Sequence, residues 1–162
     1  MWSFAIAISA QEWQTTFVKA DELKGTPNYE AMIFTDVEKK GLITLWNIKQ
    51  DDFRICSLNH VFRSNHLKGA NFKPLVVGTI GLYDETDKII EKLDNFPFEV
   101  DGIDQMNSLH PNRYTLKGGN NKKKTKIIIE YLRNNKGYIR FLIPLFGGND
   151  FDFIVPCMNN PK

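Results

Sequence analysis

Asp84-Glu85-Thr86-Asp87-Lys88-Ile89-Ile90-Glu91-Lys92-Leu93-Asp94-Asn95-Phe96-Pro97 is the stretch on which the fold class turns. The Asp84 carboxylate is placed to cap a helix, and Glu85 and Asp87 would sit in its first turn, where the helix dipole favours acids. Ile89, Ile90 and Leu93 then supply an apolar stripe, and Pro97 lies just past the end. The spacing predicts a helix beginning after Asp84.

A second helix is expected near the start of the chain. From Trp2 to Ser9 large and small residues alternate, the period of a strand. Ser9 and Glu12 then form an S-x-x-E capping box, so a helix should begin at Ala10. Trp13 and Phe17 would share its inner face, and Gly25-Thr26-Pro27 would end it.

Between and after these helices the reading is β. Apolar runs at Tyr29 to Thr35, Leu42 to Ile48 and Phe53 to Leu58 are joined by short polar linkers, the signature of an antiparallel meander. Asn59 to Phe72 reads as a loop or short helix, and Leu75 to Ile80 as another strand. Arg113 to Leu116, Lys126 to Leu132, Tyr138 to Ile143 and Phe151 to Val155 follow. Lys126 to Leu132 is compatible with a helix stopped by Gly137, but its three consecutive isoleucines and the Asn134-Asn135-Lys136-Gly137 turn favour a β-hairpin. The fold expected is therefore α+β: one domain over residues 1–162, with one curved, mostly antiparallel sheet and two or three helices packed on one face.

Composition supports a self-sufficient core. The chain is 42% hydrophobic and 25% charged, with twelve phenylalanines, neither a disordered nor a fibrous recipe. Its two cysteines, Cys56 and Cys157, lie far apart with no Cys-x-x-Cys, which favours a reducing, cytoplasmic setting over a disulfide scaffold. The apolar run at the N-terminus is too short for a signal sequence, and no run has the ~18 residues of a membrane span. No membrane association is expected.

Charge is distributed unevenly. Asp84 to Asp104 holds eight acids, including Asp84, Glu85, Asp87 and Glu91, against two lysines, a net of −6. Gln105 to Ile129 holds six bases and no acid: Arg113, Lys117, Lys122, Lys123, Lys124 and Lys126. The whole chain is only +2, so the polarity is local. Such segments suit docking to a protein of opposite charge. The basic one could also reach a phosphate backbone, but Tyr114 is the only aromatic within it, and single-strand binding wants several stacking rings.

Catalytic signals are sparser. His60, His66 and His110 could form an acid–base pair of the ribonuclease kind, with lysines stabilising charge on phosphate. Cys56 and His60 are four apart, but no second pair completes a zinc set. Glu38 and Lys40 give Glu-x-Lys in a turn rather than a buried strand. Asp150 and Asp152 share a strand face, at a spacing able to hold a divalent ion, although alternation with Phe151 and Phe153 assigns them to the outer side of a half-buried strand. No glycine pattern matches a nucleotide-binding loop, so no cofactor or metal is expected.

The expectation is a small cytoplasmic binding protein acting by protein–protein contact, in the manner of an inhibitor or immunity protein, through the acidic segment or through 113–126. The alternatives are a histidine ribonuclease and a nucleic-acid-binding module led by the basic segment.

Overall fold

A computed structural model describes residues 12–18, 23, 25, 29–38, 41–46, 52–57, 62–63, 75–103, 114–118 and 121–159. Among the described residues nine strands and one helix follow one another in this order: β1 (Gln14–Val18), β2 (Tyr29–Asp36), β3 (Gly41–Trp46), β4 (Phe53–Ser57), β5 (Leu75–Tyr83), β6 (Ile89–Ile103), β7 (Tyr114–Lys117), α1 (Lys122–Asn134), β8 (Tyr138–Pro144) and β9 (Asp150–Pro156).

Alternation makes these strands. In β3, Gly41, Ile43 and Leu45 face inward while Leu42, Thr44 and Trp46 face outward. The same period places Phe53, Ile55 and Ser57 of β4 inside, with Ile139, Phe141 and Ile143 of β8 and Phe151, Phe153 and Val155 of β9. All nine strands join one sheet in the order β1-β2-β3-β4-β7-β6-β5-β8-β9, and every neighbouring pair is antiparallel. A bulge in β6, with Asn95 at φ 53°, shifts its register against β5 between Gly78 and Ile80. It adds twist where the sheet must curve.

The sheet curls until its two edges meet. Trp13, immediately before β1, donates its indole N–H to the carbonyl of Pro156, the last residue of β9, at 2.6 Å. Behind that bond Trp13 packs on Phe34 with centroids 5.8 Å apart, and Phe34 on Phe153 at 6.2 Å. The enclosed core is rich in phenylalanine: Phe53, Phe96, Phe98 and Phe141 are fully buried and in edge or tilted contact.

The helix lies against this inner surface. Asn121 caps it by accepting from the Lys124 N–H at 3.1 Å, and Thr125, Ile128, Ile129 and Leu132 form its buried side. Its last turn is tied to two strand ends and to Met158, just beyond β9. Tyr131 Oη donates to the Tyr83 carbonyl at 2.7 Å, Arg133 Nη2 to the Trp46 carbonyl at 3.2 Å, and the Met158 N–H to the Leu132 carbonyl at 2.8 Å.

The expected α+β class with two or three helices on one face is therefore corrected to a single curled antiparallel sheet with one helix among the described residues, and three segments differ. The helix expected from Ala10 is a strand over Gln14–Val18, so Trp13 closes a sheet seam instead of lining a helix face; Trp2 to Ala10 lie outside the described residues. The helix expected after Asp84 is a hairpin turn followed by β6. Asp84 does accept from N–H groups ahead of it, Thr86 at 2.8 Å and Lys88 at 3.0 Å, but it thereby closes a turn instead of capping a helix. Lys126 to Leu132, expected as a strand, belongs to α1. Burial at 125, 128, 129 and 132 follows helical spacing, and the core contact outweighs the β-propensity of three isoleucines.

Trp13→Phe removes the seam bond and should cost about 1 kcal/mol, and Trp13→Ala, which also empties the contact with Phe34, about 3 kcal/mol; denaturant unfolding measures both. Gly137 admits no side chain, because a Cβ there would collide with the Tyr83 carbonyl and the Asp84 backbone. Gly137→Ala should cost about 3 kcal/mol in the same assay.

Candidate binding surface

The structure divides the acidic segment. Asp84 is committed to its turn, with Thr86 Oγ1 donating to it at 2.7 Å in addition to the two backbone N–H groups. These donors, led by the Thr86 hydroxyl, hold its carboxyl below the ordinary 3.8. Asp87 occupies the left-handed region at φ 64° in the same turn. Glu85 and Glu91 are exposed, and Glu85 borders a shallow groove of about 390 Å³ with Tyr131 and Lys136. Lys92 pairs with Asp94 at 3.3 Å on the outside of β6. Glu99 belongs elsewhere: it is buried and pairs with Lys117 of β7 at 3.3 Å, directly across from it in register.

The basic segment divides between β7 and α1. Lys117 is taken up by Glu99, while Lys122, Lys123, Lys124 and Lys126 open α1, whose first turn has no acid. Four lysines at the positive end of a helix dipole oppose the stabilising arrangement. A thirteen-residue helix spans about 20 Å, and the acidic hairpin lies at its far end, beside Tyr131 and Asn134. The molecule thus has two separate charge poles rather than one mixed face. Arg113, His60, His66 and His110 lie outside the described residues.

The remaining sequence candidates resolve into local structure. Asp152 accepts both nitrogens of a bidentate Arg140 pair, Nε and Nη2, each at 2.8 Å, so its oxygens are spent on a cross-strand ion pair and not on a shared ion with Asp150. Glu38 follows β2 in a turn, with its N–H donating to Asp36. Among the described residues no cluster of histidine, cysteine, aspartate and glutamate has the arrangement of a metal site. Cys56 is half-buried on β4, and Cys157 is buried, its thiol pushed up to about 12 by desolvation. No helix among the described residues is long and apolar enough to cross a membrane.

What the linear reading missed is the outer face of β5, β6, β8 and β9. Registered pairs build it row by row. One row runs Ile89, Tyr83, Tyr138, Pro156; the next runs Lys92, Gly81, Arg140, Ile154. Tyr83 and Tyr138 stack with centroids 4.8 Å apart and planes 6° from parallel. Ile89 and Ile154 are each 46% exposed on this face. Arg140 is held rigidly between them by Asp152, and the pair keeps its guanidinium charged. Tyrosines on the outward positions of two apolar strands were the available signal, but their meeting depends on β5 pairing with β8.

Comparison with protein-family models, with curated proteins and with solved structures finds no match for this chain.

The depressed carboxyl of Asp84 gives a pH signature. Its support for the turn is present above the unfolded carboxylate value and is lost as pH falls through the lower folded value. Hydrogen exchange should show the Thr86 and Lys88 amides protected at neutral pH and unprotected well below pH 3.8. In Asp84→Ala they should be unprotected throughout.

Proposed function

We propose that this protein is a cytoplasmic binding protein that captures a basic protein partner through the outer face of β5, β6, β8 and β9, in the manner of an inhibitor or immunity protein. One observation carries the reading: a stacked tyrosine pair, a clamped arginine and two exposed isoleucines lie on adjoining registered rows of one sheet face. Tyrosine and arginine in an apolar centre with a charged rim is the composition of protein-interface hot spots. Tyr83 to Asn95 carries five acids against two lysines, a net of −3, while the four charges from Lys136 to Asp152 cancel. The charge of that hairpin, next to the face, favours a basic surface and repels phosphate, which argues for a protein partner over nucleic acid. A protein that handles nucleic acid presents such a basic surface, and an acidic face can occupy it in place of the phosphate backbone. The lysines of α1 stand at the opposite pole and are not part of this contact.

The test is capture and identification of a partner, followed by rate measurements. Association should slow steeply as salt rises, because the rim steers encounter over a Debye length of about 8 Å at physiological ionic strength. Glu85→Lys with Glu91→Lys should lower the association rate at least tenfold at low salt, whereas Lys122→Ser with Lys123→Ser should not lower it. Loss of capture in the lysine variant alone would move the contact to the α1 pole. Cleavage of labelled RNA by the purified chain, abolished by His60→Ala or His110→Ala, would replace the binding reading with the catalytic one.

A further inference from the structure

The outer face is not flat. Between β6 and β8 it carries a groove of about 300 Å³ whose floor is Gly81 and whose walls include Tyr83, Ile89, Lys92 and Arg140. The glycine shapes it. A Cβ at position 81 would stand 2.7 Å from Cε2 of Tyr83 and 3.5 Å from its Cζ and Oη, so the tyrosine ring lies down along its own strand only because residue 81 has no side chain. Tyr138, on β8, occupies one face of that ring. β6 lies on the opposite side of β5, so the other face of Tyr83 is directed toward Ile89 and Lys92.

We propose that this groove is the anchor pocket of the binding face, and that it receives an aromatic side chain presented by a basic protein partner. The inference rests on the binding reading above and adds the chemistry of the contact. Its volume is at the bottom of the range for small-molecule pockets, ~300–1,000 Å³, which suits one large side chain rather than a chain segment. Four kinds of occupant can be compared. A guanidinium or ammonium would enter between two cations, Lys92 and Arg140. A carboxylate would be desolvated against Ile89 and Leu142, and would compete for those cations with Asp94 and Asp152, which already pair with them. An aliphatic group would leave the open face of Tyr83 unused. A neutral ring continues the Tyr138–Tyr83 stack as a third layer and turns its other face toward Ile89 and Lys92 on β6. The net −3 of the neighbouring hairpin selects a basic surface around that ring. It also disfavours a second copy of the chain, since a two-fold contact through this face would bring two such hairpins together.

The experiment is an NMR titration of the full chain with three short probe peptides, Lys-Lys-Gly-Trp-Gly-Lys-Lys and the same sequence with leucine or arginine at the centre. The tryptophan peptide should bind about tenfold tighter than either control. It should shift the Gly81 amide and move the Tyr83 ring protons upfield. Ile89→Trp, at an exposed position where the fold is not at stake, fills the groove and should abolish that preference; Tyr83→Leu should do the same. Lys122→Ser should leave it intact. Equal binding of all three peptides, with shifts at Glu85 and Asp87 but none at Gly81, would overturn the anchor while leaving the acidic docking face standing. Failure of every peptide to bind would overturn both.

Discussion

Among the described residues a sheet of nine strands meets one helix, which is too small to cover its apolar face, and much of the molecule follows from this mismatch. Neighbouring strands lie about 4.8 Å apart, so nine span roughly 40 Å, whereas α1 is about 20 Å long and about 10 Å wide. Much of the remaining apolar surface leaves water by packing against itself. The sheet therefore rolls up, and phenylalanines from strands distant in its order meet across the interior: Phe34 with Phe153, and Phe53 with Phe141. The helix then occupies a part of that interior and is fixed there by hydrogen bonds to the ends of β3 and β5 and to Met158 just beyond β9.

Rolling up decides what the protein can offer to others. Most inward positions of the described strands are used for packing, which leaves recognition to the outward positions, the turns and the exposed side of α1. The β5–β6 turn depends on Asp84 for its shape. Of its other acids, Glu85 borders the groove beside Tyr131, Glu91 stands across from Leu82, and Asp94 pairs with Lys92. The lysines at the start of α1 are carried against the dipole of their own helix, an arrangement that folding alone would not select.

Much of the sheet was legible in the sequence because a period of two is a local signal. The runs at Tyr29, Leu42, Phe53, Leu75, Tyr138 and Phe151 are strands for the reason their alternation suggests. Of the three misread segments, two pair isoleucines with charges, and each of these has a local cue that serves either structure. An aspartate accepting from N–H groups ahead of it starts a helix or closes a turn with the same chemistry, and at Asp84 the partner strand β5 decides. At Ile127, Ile128 and Ile129 the decision comes from Asn121 upstream and from the core that receives Ile128, Ile129 and Leu132. The charge poles were visible as composition. The stacked tyrosines were not, because Tyr83 and Tyr138 become neighbours only when β5 pairs across an intervening β6, β7 and α1 in sequence.

The seam at Trp13 has a temporal meaning as well as a structural one. Its hydrogen bond joins residues 143 positions apart, among the longest separations this chain permits. Contacts of such high separation form late, since the entropy of closing the intervening loop must be overcome before they return anything. While the chain emerges from a ribosome, β1 to β4 can assemble as a meander long before β9 exists. Their inner phenylalanine and leucine positions then wait uncovered. Until Pro156 is synthesised the half-rolled sheet has no seam to close, and that interval is when this protein depends most on protection by other molecules.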